Sequence, residues 1–359
     1  PPTTAPAAAT TPDPNDPLAG KDVTILLLGS DERDGENGAI GGQAEGMRSD
    51  TAIVVHLSAD RSRAELVSIP RDSIVDIPSC TMSDGSTSRA QSDAMFNSAF
   101  ATGWDQGGDL TSAAACTIKT VQANTGLTID HFAVVNFVGF ISMVDALGGV
   151  PICIPEAIVS PDAGLTLAAG YQTLDGSTAL GFARARKGTN LNGSDLERTG
   201  RQQELIAAMV RQIQAKNILT DVPQLMGFLN AATASLTVDP GLRSLTDMAG
   251  LALSLRSLDR SAITFMTIPV TAWPQDKNRV VWTSAAKTVW ANMAADEPIV
   301  APVVTPAATP SATTSAAATP SATPSPSATT AQSAEPSTTT TAKPGTDPFT
   351  ADDVTGVCG

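Results

Sequence analysis

Arginines in four short motifs are the residues whose type and spacing best fit chemistry on a charged ligand. Fifteen of the 22 basic residues are arginine, although the chain has a net charge of −14. A guanidinium fork binds phosphate oxygens in pairs, whereas a lysine ammonium acts as a point charge. A fold that joins the motifs would place a cationic pocket for a phosphorylated ligand on an acidic protein. The motifs are Arg48-Ser49-Asp50-Thr51, Ile69-Pro70-Arg71-Asp72, Phe182-Ala183-Arg184-Ala185-Arg186 and the run from Asp195 to Gln203.

The spacing inside each motif directs its polar side chains to one side. Residues two apart share a face of extended chain, and residues three or four apart share a face of a helix. Each motif could therefore form part of a phosphate clamp. The alternative is that the arginines make surface ion pairs with some of the 36 acidic residues. The residues two apart are Arg48 with Asp50 and Arg184 with Arg186. The residues three or four apart are Arg198 with Arg201 and Gln202.

Alternating strand and helix patterns predict an α/β fold with three layers. Residues 72–110 are expected to form a long loop with one helix at Ala94–Ala101. A strand that ends in an acidic residue, such as Asp31, is typical of a ligand site at a sheet edge. The predicted strands are Val23–Leu28, Thr51–Leu57, Ala64–Ile69, His131–Val135, Val150–Ile154 and Ile263–Ile268. The principal predicted helices are Leu110–Thr125, Phe137–Leu147, Arg198–Ile218, Val222–Ala234, Leu242–Ser257 and Thr283–Met293.

The helix predicted at Phe137–Leu147 carries an apolar stripe at Phe137, Phe140, Ile141 and Val144. Such a stripe is by default expected to pack in the hydrophobic core. The second interpretation is a groove for a lipid.

Composition divides the chain into one folded domain and flexible segments. Residues 1–20 are predicted to be a disordered linker beside the membrane, and residues 21–300 the folded domain. Residues 301–346, almost entirely Ala, Thr, Ser and Pro, are predicted to be a second disordered linker. Residues 347–359 form the C-terminal tail. The longest apolar run, Val23–Leu28, is too short to span a bilayer, and we expect a membrane anchor to precede Pro1.

The four cysteines indicate disulfides in an oxidising compartment, because their number is even and none has metal-ligand spacing. Three pairings are possible. We favour Cys80 with Cys116, which would join a loop to a helix. Cys153 with Cys358 would then hold the tail on the domain. Buried free thiols are the alternative.

These motifs, taken together and in order, resemble the LytR-CpsA-Psr (LCP) family over residues 21–215. The resemblance implies the LCP fold with a mixed central sheet. It also implies a membrane-anchored, extracytoplasmic phosphotransferase. Such an enzyme moves a glycopolymer from a polyprenyl-pyrophosphate carrier to a hydroxyl of peptidoglycan or of a surface glycoprotein. The matching motifs are Leu27–Asp31, Arg48–Thr51, Val67–Asp72, Phe96–Phe100, Val144–Val150, Leu174–Leu180 and the two later arginine motifs.

The resemblance also implies roles for individual residues. Asp31 and Asp50 are expected to bind Mg²⁺, a hard cation that prefers oxygen ligands. Phosphoryl transfer depends mainly on positioning and charge neutralisation, which arginines and Mg²⁺ supply. The expected catalytic residues are Arg48, Arg71, Arg184, Arg186, Arg198 and Asp195, and the expected substrate-binding residues are Gln202, Arg201 and Asp72.

Two alternatives use the same residues. A hydrolase would release polyprenyl phosphate with water as the acceptor. A lipid-binding or regulatory protein would bind the carrier without turnover. Nucleic acid is not an expected partner, because the chain is acidic and has no helix-turn-helix pattern or basic face.

Overall fold

The computed structural model describes residues 18–31, 37–38, 40, 47–233, 236–300 and 342–353. The helices are α1 (Asn97–Gly107), α2 (Leu110–Thr125), α3 (Phe137–Ala146), α4 (Gly176–Arg184), α5 (Asp195–Ala215), α6 (Val222–Thr233), α7 (Leu245–Ser254) and α8 (Ser284–Ala294). Strands β1 to β8 are Val23–Ser30, Ser49–Leu57, Ala64–Ile69, Ile74–Ile77, Gln91–Met95, His131–Val135, Val150–Ile154 and Ile158–Ser160. Strands β9 to β15 are Leu165–Leu167, Gly170–Leu174, Leu236–Val238, Ile263–Thr267, Val270–Trp273, Asp276–Trp282 and Phe349–Thr350.

A seven-stranded mixed sheet runs through the domain in the order β11-β6-β1-β2-β3-β12-β15. β1 pairs with β6, and β3 with β12, in parallel, whereas the other neighbours are antiparallel. The carboxyl ends of β1, β3, β6 and β12 therefore meet the amino end of β2 at one sheet edge. The predicted mixed sheet is confirmed.

Helices cover both faces of this sheet, which confirms the three-layer prediction. Successive strand residues point to opposite faces. Leu26 and Leu28 of β1 accordingly pack with Phe100 of α1 and with α2 and α8. Val23 points to the other face and packs in a cluster that contains Ala207 of α5 and part of α7.

The segment from residue 72 to residue 110 contains more regular structure than the sequence predicted. β4 and β5 form an antiparallel hairpin, and α1 follows it directly. The sequence Gln91–Met95 has mixed polarity and no strand alternation, because β5 has no buried residue. Its order comes from neighbours far along the chain, since Ser73 bridges to Val280 of β14. Local patterns carry no signal for such a contact.

Cys80 and Cys116 form a disulfide within the hydrophobic core, where they join the loop after β4 to α2. This agrees with the favoured pairing. The other predicted pairing, Cys153 with Cys358, lies outside the described residues.

Replacing both cysteines of this disulfide by serine should lower the free energy of unfolding by about 4 kcal/mol. The reason is that a cross-link over 36 residues restricts the unfolded chain. Urea unfolding under oxidising conditions would measure the difference. In reductant, wild type and the double variant should have similar stability, and an unchanged midpoint under oxidising conditions would contradict the expectation.

Residues 342–353, here called the C-terminal segment, pack against the domain. Phe349 and Ala351 are buried, and β15 extends the sheet beside β12. Residues 1–17, 301–341 and 354–359, which include most of the predicted linkers, lie outside the described residues. No helix in the described part of the chain is long and apolar enough to cross a membrane.

Candidate functional site

A cavity of about 520 Å³ lies between the sheet and helices α3, α4 and α5. All four arginine motifs contribute to its lining. The charged and amide side chains collect near the sheet edge where β1 and β3 end, and the remaining wall is mostly apolar. The polar and charged residues of the sequence motifs that line it are Asp31, Asp50, Arg71, Arg184, Arg186, Arg198 and Gln202.

A β-bulge places Asp50 at this cavity. Gly29 pairs with Thr51 and Ser30 pairs with Ser49, so Asp50 is an extra residue in β2 without a partner in β1. A bulge re-aims the side chain at its position and interrupts the alternation of faces.

Arg48 is not brought into the cavity with Asp50, contrary to the shared face that the sequence predicted. Arg48 lies before the first residue of β2, and the bulge follows it. The alternation of side-chain directions along the strand therefore does not relate Arg48 to Asp50. Its side chain is exposed, and its backbone N–H donates to Asp31 Oδ1 over 2.6 Å. Arg48 therefore helps to hold Asp31 through its backbone.

Four charged side chains form a closed ring at the cavity mouth. Asp50 accepts from Arg71 Nη1 at 2.8 Å and lies 3.3 Å from Arg198 Nη1. Asp195 Oδ1 completes the ring, at 3.3 Å from Arg71 Nε and 2.6 Å from Arg198 Nη2. Two carboxylates thus hold two guanidinium groups in fixed orientations. Asp195 does not line the cavity, so it positions the arginines.

Burial and the neighbouring charges set the protonation of this ring. Burial alone would raise the pKa of Asp50, but Arg198 and Arg71 outweigh it and hold that pKa below its usual value. For Asp195, burial is the larger effect and raises the pKa in spite of the same two arginines.

Arg186 differs from the ring because it has no partner among the described residues. Its Nε is buried and without an acceptor. Burial, followed by the positive charge of Arg71, lowers its pKa. A cation in this situation is stabilised by an incoming anion. Asp195 and Asp72 attract Arg186 without forming an ion pair with it, and burial and Arg71 outweigh them. Arg186 is thus a cation at the mouth that has no direct ion pair among the described residues.

Arg184 ends α4 at the same mouth. Its guanidinium carbon lies 4.5 Å from the centre of the Phe137 ring, a cation–π contact. It therefore joins the charged part of the lining to the apolar part.

Helix α5 begins at Asp195, three residues before the predicted start. The hydroxyl of Ser194 accepts from the N–H of Glu197, and this Ser-x-x-Glu pattern is a capping signal that the sequence analysis did not use. The earlier start places Asp195 in the first turn, one turn before Arg198.

Arg198 and Gln202 face the cavity, but Arg201 does not, so the predicted shared face is wrong for Arg201. At 3.6 residues per turn, positions three and four residues after Arg198 diverge by about 100°. Arg201 lies 3.1 Å from Glu197 and also donates to the carbonyl of Ala185. It holds the Ala185 backbone between Arg184 and Arg186, which is a positioning role.

Asp72 is not at the cavity wall either. Its carboxylate lies 3.0 Å from Arg279 Nη1 and 4.0 Å from Arg71 Nε. Arg279 belongs to β14, and its lone position in the sequence gave no signal of this contact. Asp72 therefore links the β13–β14 hairpin to Arg71.

Part of the apolar stripe on α3 forms a wall of the cavity. Phe137, Phe140 and Met143 line the cavity, whereas Val144 lies in the core. The default expectation of core packing thus fails for part of the stripe, and the groove interpretation describes it better. The opposite wall continues from Gln202 along one face of α5, at spacings that the sequence already contains. These residues are Leu205, Ile206, Met209, Val210 and Ile213.

Glu204 is a partly buried carboxyl group on α5. Burial raises its pKa from 4.5 to about 7, and Arg211 and Arg201 offset this only in part. Between these values the folded protein keeps a proton that the unfolded chain has lost. The stability that protonated Glu204 contributes is therefore fully present below pH 4.5 and is lost as the pH rises through 7.

Glu204→Gln should remove this pH dependence. In wild type, this group alone should lower the free energy of unfolding by about 3 kcal/mol between pH 4.5 and pH 8. The variant should match wild type at the acidic end and exceed its stability at pH 8. Urea unfolding across this range tests it, with the exposed Asp162→Asn as the control. Parallel curves for wild type and Glu204→Gln would contradict the assignment.

The sequence and the fold of this chain are similar to those of known proteins. The LytR_cpsA_psr family model matches residues 4–295. The cell wall biosynthesis protein LcpA of Corynebacterium glutamicum is 34% identical over an alignment of 264 residues, and the match covers 69% of this chain and 50% of LcpA. The chain thus spans half the length of that relative.

A second relative and a solved structure extend the comparison. The polyisoprenyl-teichoic acid–peptidoglycan teichoic acid transferase TagU of Oceanobacillus iheyensis is 30% identical over 238 residues, 66% of each chain. The LytR-Csp2A-Psr enzyme from Actinomyces oris superposes with a TM-score of 0.56 at 21% identity. The match covers 78% of this chain and 91% of that one, and it supports the fold.

Proposed function

Because the chain belongs to the LytR-CpsA-Psr family, we propose that it is an extracytoplasmic glycopolymer phosphotransferase. The donor is a glycopolymer on a polyprenyl-pyrophosphate carrier, and the acceptor is a hydroxyl of peptidoglycan or of a surface glycoprotein. One observation carries this proposal. Arg186, which has no ion pair among the described residues, stands at the mouth of an apolar cavity, an arrangement suited to an amphiphile with an anionic head.

The two parts of the cavity match the two parts of the donor. A volume of about 520 Å³ is within the range of small-molecule sites. Part of a prenyl chain placed along α3 and α5 would gain about 0.8 kcal/mol for each buried CH₂ group. The pyrophosphate would then lie beside Arg71, Arg186 and Arg198. Its negative charge would pair with Arg186, which forms no ion pair with a described carboxylate.

In the proposed reaction, the acceptor hydroxyl oxygen attacks the phosphorus atom that carries the glycopolymer. A new P–O bond forms, the bridging P–O bond breaks, and polyprenyl phosphate leaves with the bridging oxygen. The hydroxyl proton is released. Arg71 and Arg198, held by Asp50 and Asp195, and Arg186 stabilise the charge that develops on the phosphate oxygens. The arginines act by position and charge, and no covalent enzyme intermediate is needed.

Mg²⁺ is part of the proposal, and the residues present fit it. Asp31 and Asp50 both line the mouth and offer oxygen ligands, and no cluster of three or more metal-ligating side chains occurs among the described residues. Two carboxylates suit Mg²⁺, which commonly keeps waters and binds substrate phosphates as well. When bound, the ion would neutralise phosphate charge. Asp50 also faces Arg71 and Arg198, so it would serve both groups.

Location outside the cytoplasm, through a membrane anchor, belongs to the same proposal. The buried Cys80–Cys116 disulfide is typical of proteins in oxidising compartments. A lipid-linked donor would enter the cavity from the bilayer surface.

The test uses the full chain, Mg²⁺, a synthetic polyprenyl-pyrophosphate disaccharide and peptidoglycan fragments. We expect polyprenyl phosphate and a phosphodiester-linked product in equal amounts, and loss of both when Mg²⁺ is chelated. Polyprenyl phosphate without the linked product would establish a hydrolase. Binding of the donor without turnover in the presence of Mg²⁺ would establish a lipid-binding protein and overturn the proposal.

A further inference from the structure

We propose that the C-terminal segment is a positioning element of the site, because it holds the outer face of the helix that carries Arg198 and Gln202. This proposal rests on the proposed function. It extends that function to residues 342–353, which touch neither the cavity nor the ring of charges.

The first turns of α5 lie between the cavity and the C-terminal segment. Arg198 and Gln202 face the cavity, whereas Gly200 faces the backbone of Pro344 and Gly345. A Cβ atom on Gly200 would collide with the carbonyl of Pro344 and would lie 3.0 Å from Gly345 N. The contact is equally close from the other side. Gly345 has a φ of +89°, and a Cβ atom there would collide with the carbonyl oxygen of Leu196.

A buried amide connects this contact to the strands behind the site. Gln203 is 1% exposed, and its Oε1 accepts from Gly345 N–H at 3.1 Å. Its Nε2 donates to Ser68 Oγ at 2.9 Å and to Thr267 Oγ1 at 3.1 Å. Ser68 lies near the end of β3, which leads through Pro70 to Arg71. One side chain thus joins the segment, α5 and the two strands whose carboxyl ends flank the site.

The rest of the segment is fixed independently of that contact. The Phe349 ring stacks on Phe265 of β12 with 5.1 Å between centroids. Arg211, near the other end of α5, donates to the Ala351 carbonyl over 2.7 Å. Asp352 lies 2.9 Å from Arg260. The segment is therefore tied to the sheet and to both ends of α5.

This geometry has a consequence for catalysis. A helix end without packing on one face opens locally more often than a packed one. Arg198 needs its place in the ring, and a displacement of about 1 Å at a reacting centre can cost about 100-fold in rate. Holding the outer face of α5 thus keeps its inner face in register with Asp50 and Arg71.

Gly200→Ala tests the role, because it favours the helix itself and displaces only the segment. Alanine has a higher helix propensity than glycine, so α5 alone should not be weakened. Gly227→Ala on α6 is the matched control, since a Cβ atom there meets nothing within 4 Å. Gly345→Ala disturbs the same contact from the segment. Its control is Gly164→Ala. Gly164 has a positive φ (63°), like Gly345, but a Cβ atom there would meet nothing within 4 Å.

We expect kcat for transfer to fall by about 10- to 100-fold in Gly200→Ala and in Gly345→Ala. The KM for the polyprenyl-pyrophosphate donor should change less than about threefold, because the apolar wall is intact. The double variant should match the single ones, since both remove one contact. Amide hydrogen exchange should rise in residues 195–203 and 343–351, and both controls should behave as wild type.

Each outcome decides the proposal. Faster exchange with unchanged kcat would overturn it, because the segment would then be structural only. Additive losses, or equal losses in the controls, would also overturn it. Failure of the proposed function is recognised separately: wild type itself would then not transfer the disaccharide, whether or not it binds geranylgeranyl pyrophosphate in calorimetry, and the positioning role would fall with it.

Discussion

Replacing Arg186 by alanine should remove most of the transfer activity while leaving the fold intact. Arg186 has no partner among the described residues and is repelled by Arg71, so its loss leaves no carboxylate unpaired. Loss of a charge-stabilising donor in a transition state typically costs about 100- to 1,000-fold in rate. We expect kcat/KM to fall by this factor and the midpoint of urea unfolding to stay or rise. Steady-state kinetics and unfolding of the same preparations measure both.

Arg198→Ala provides the contrast, because Arg198 belongs to the ring of charges. Its removal leaves Asp50 and Asp195 with one guanidinium group between them, and breaking a buried ion pair typically costs about 3 to 5 kcal/mol. This variant should lose both activity and stability. Arg186→Lys should keep the charge but not the planar fork, and should regain part of the activity. The exposed Arg243→Ala is the control. Normal turnover by Arg186→Ala would refute the proposed site.

Met209→Glu should strongly weaken binding of the prenyl chain without affecting the charged mouth. Met209 lines the apolar wall on α5, and an ionised carboxylate in apolar surroundings costs several kcal/mol. We expect the affinity for geranylgeranyl pyrophosphate to fall about 100-fold, equivalent to about 2.7 kcal/mol. Titration calorimetry measures this directly. Met209→Leu is the matched control, since it conserves volume and polarity.

A series of prenyl chain lengths makes this prediction more specific. In wild type, affinity should rise from dimethylallyl to geranyl to geranylgeranyl pyrophosphate as more CH₂ groups are buried. In Met209→Glu this rise should be reduced or absent. Unchanged binding of all three ligands would show that the cavity does not hold the chain. An equal loss of inorganic pyrophosphate binding would indicate damage to the mouth instead.

Local sequence patterns predicted the regular elements well where each element has its own signal. α2 was predicted at Leu110–Thr125 and occupies those residues, because Asp109 caps it and Gly126 ends it. The strands β2 and β3 were also expected, since both are rich in apolar residues. Hairpins β4–β5 and β13–β14 were missed, because β4 and β13 have only four residues each, β5 and β14 have no buried residue, and Ser73 beside β4 bridges to the distant Val280.

The site residues, too, were predicted correctly in part and incorrectly in part. The arginine motifs were assigned to one site from their residue types, their spacing and the family resemblance, and Arg71, Arg184, Arg186 and Arg198 do converge. Arg48 and Arg201 were assigned to the same clamp by simple periodicity. A one-residue bulge and a difference of about 100° on a helix direct them elsewhere.

The sequence by itself determined the α/β class, the order of the elements and the set of arginines, because these depend on residue type and on short-range spacing. Only the tertiary structure decided which arginines are neutralised and which is left for a ligand. Arg186 and Arg198 look alike in the sequence. They differ because Asp50, 148 residues before Arg198, forms an ion pair with it across the sheet edge, whereas Asp195 and Asp72 attract Arg186 without forming an ion pair with it. Charge pairing acts through space, over a few ångströms, and a linear pattern does not contain that distance.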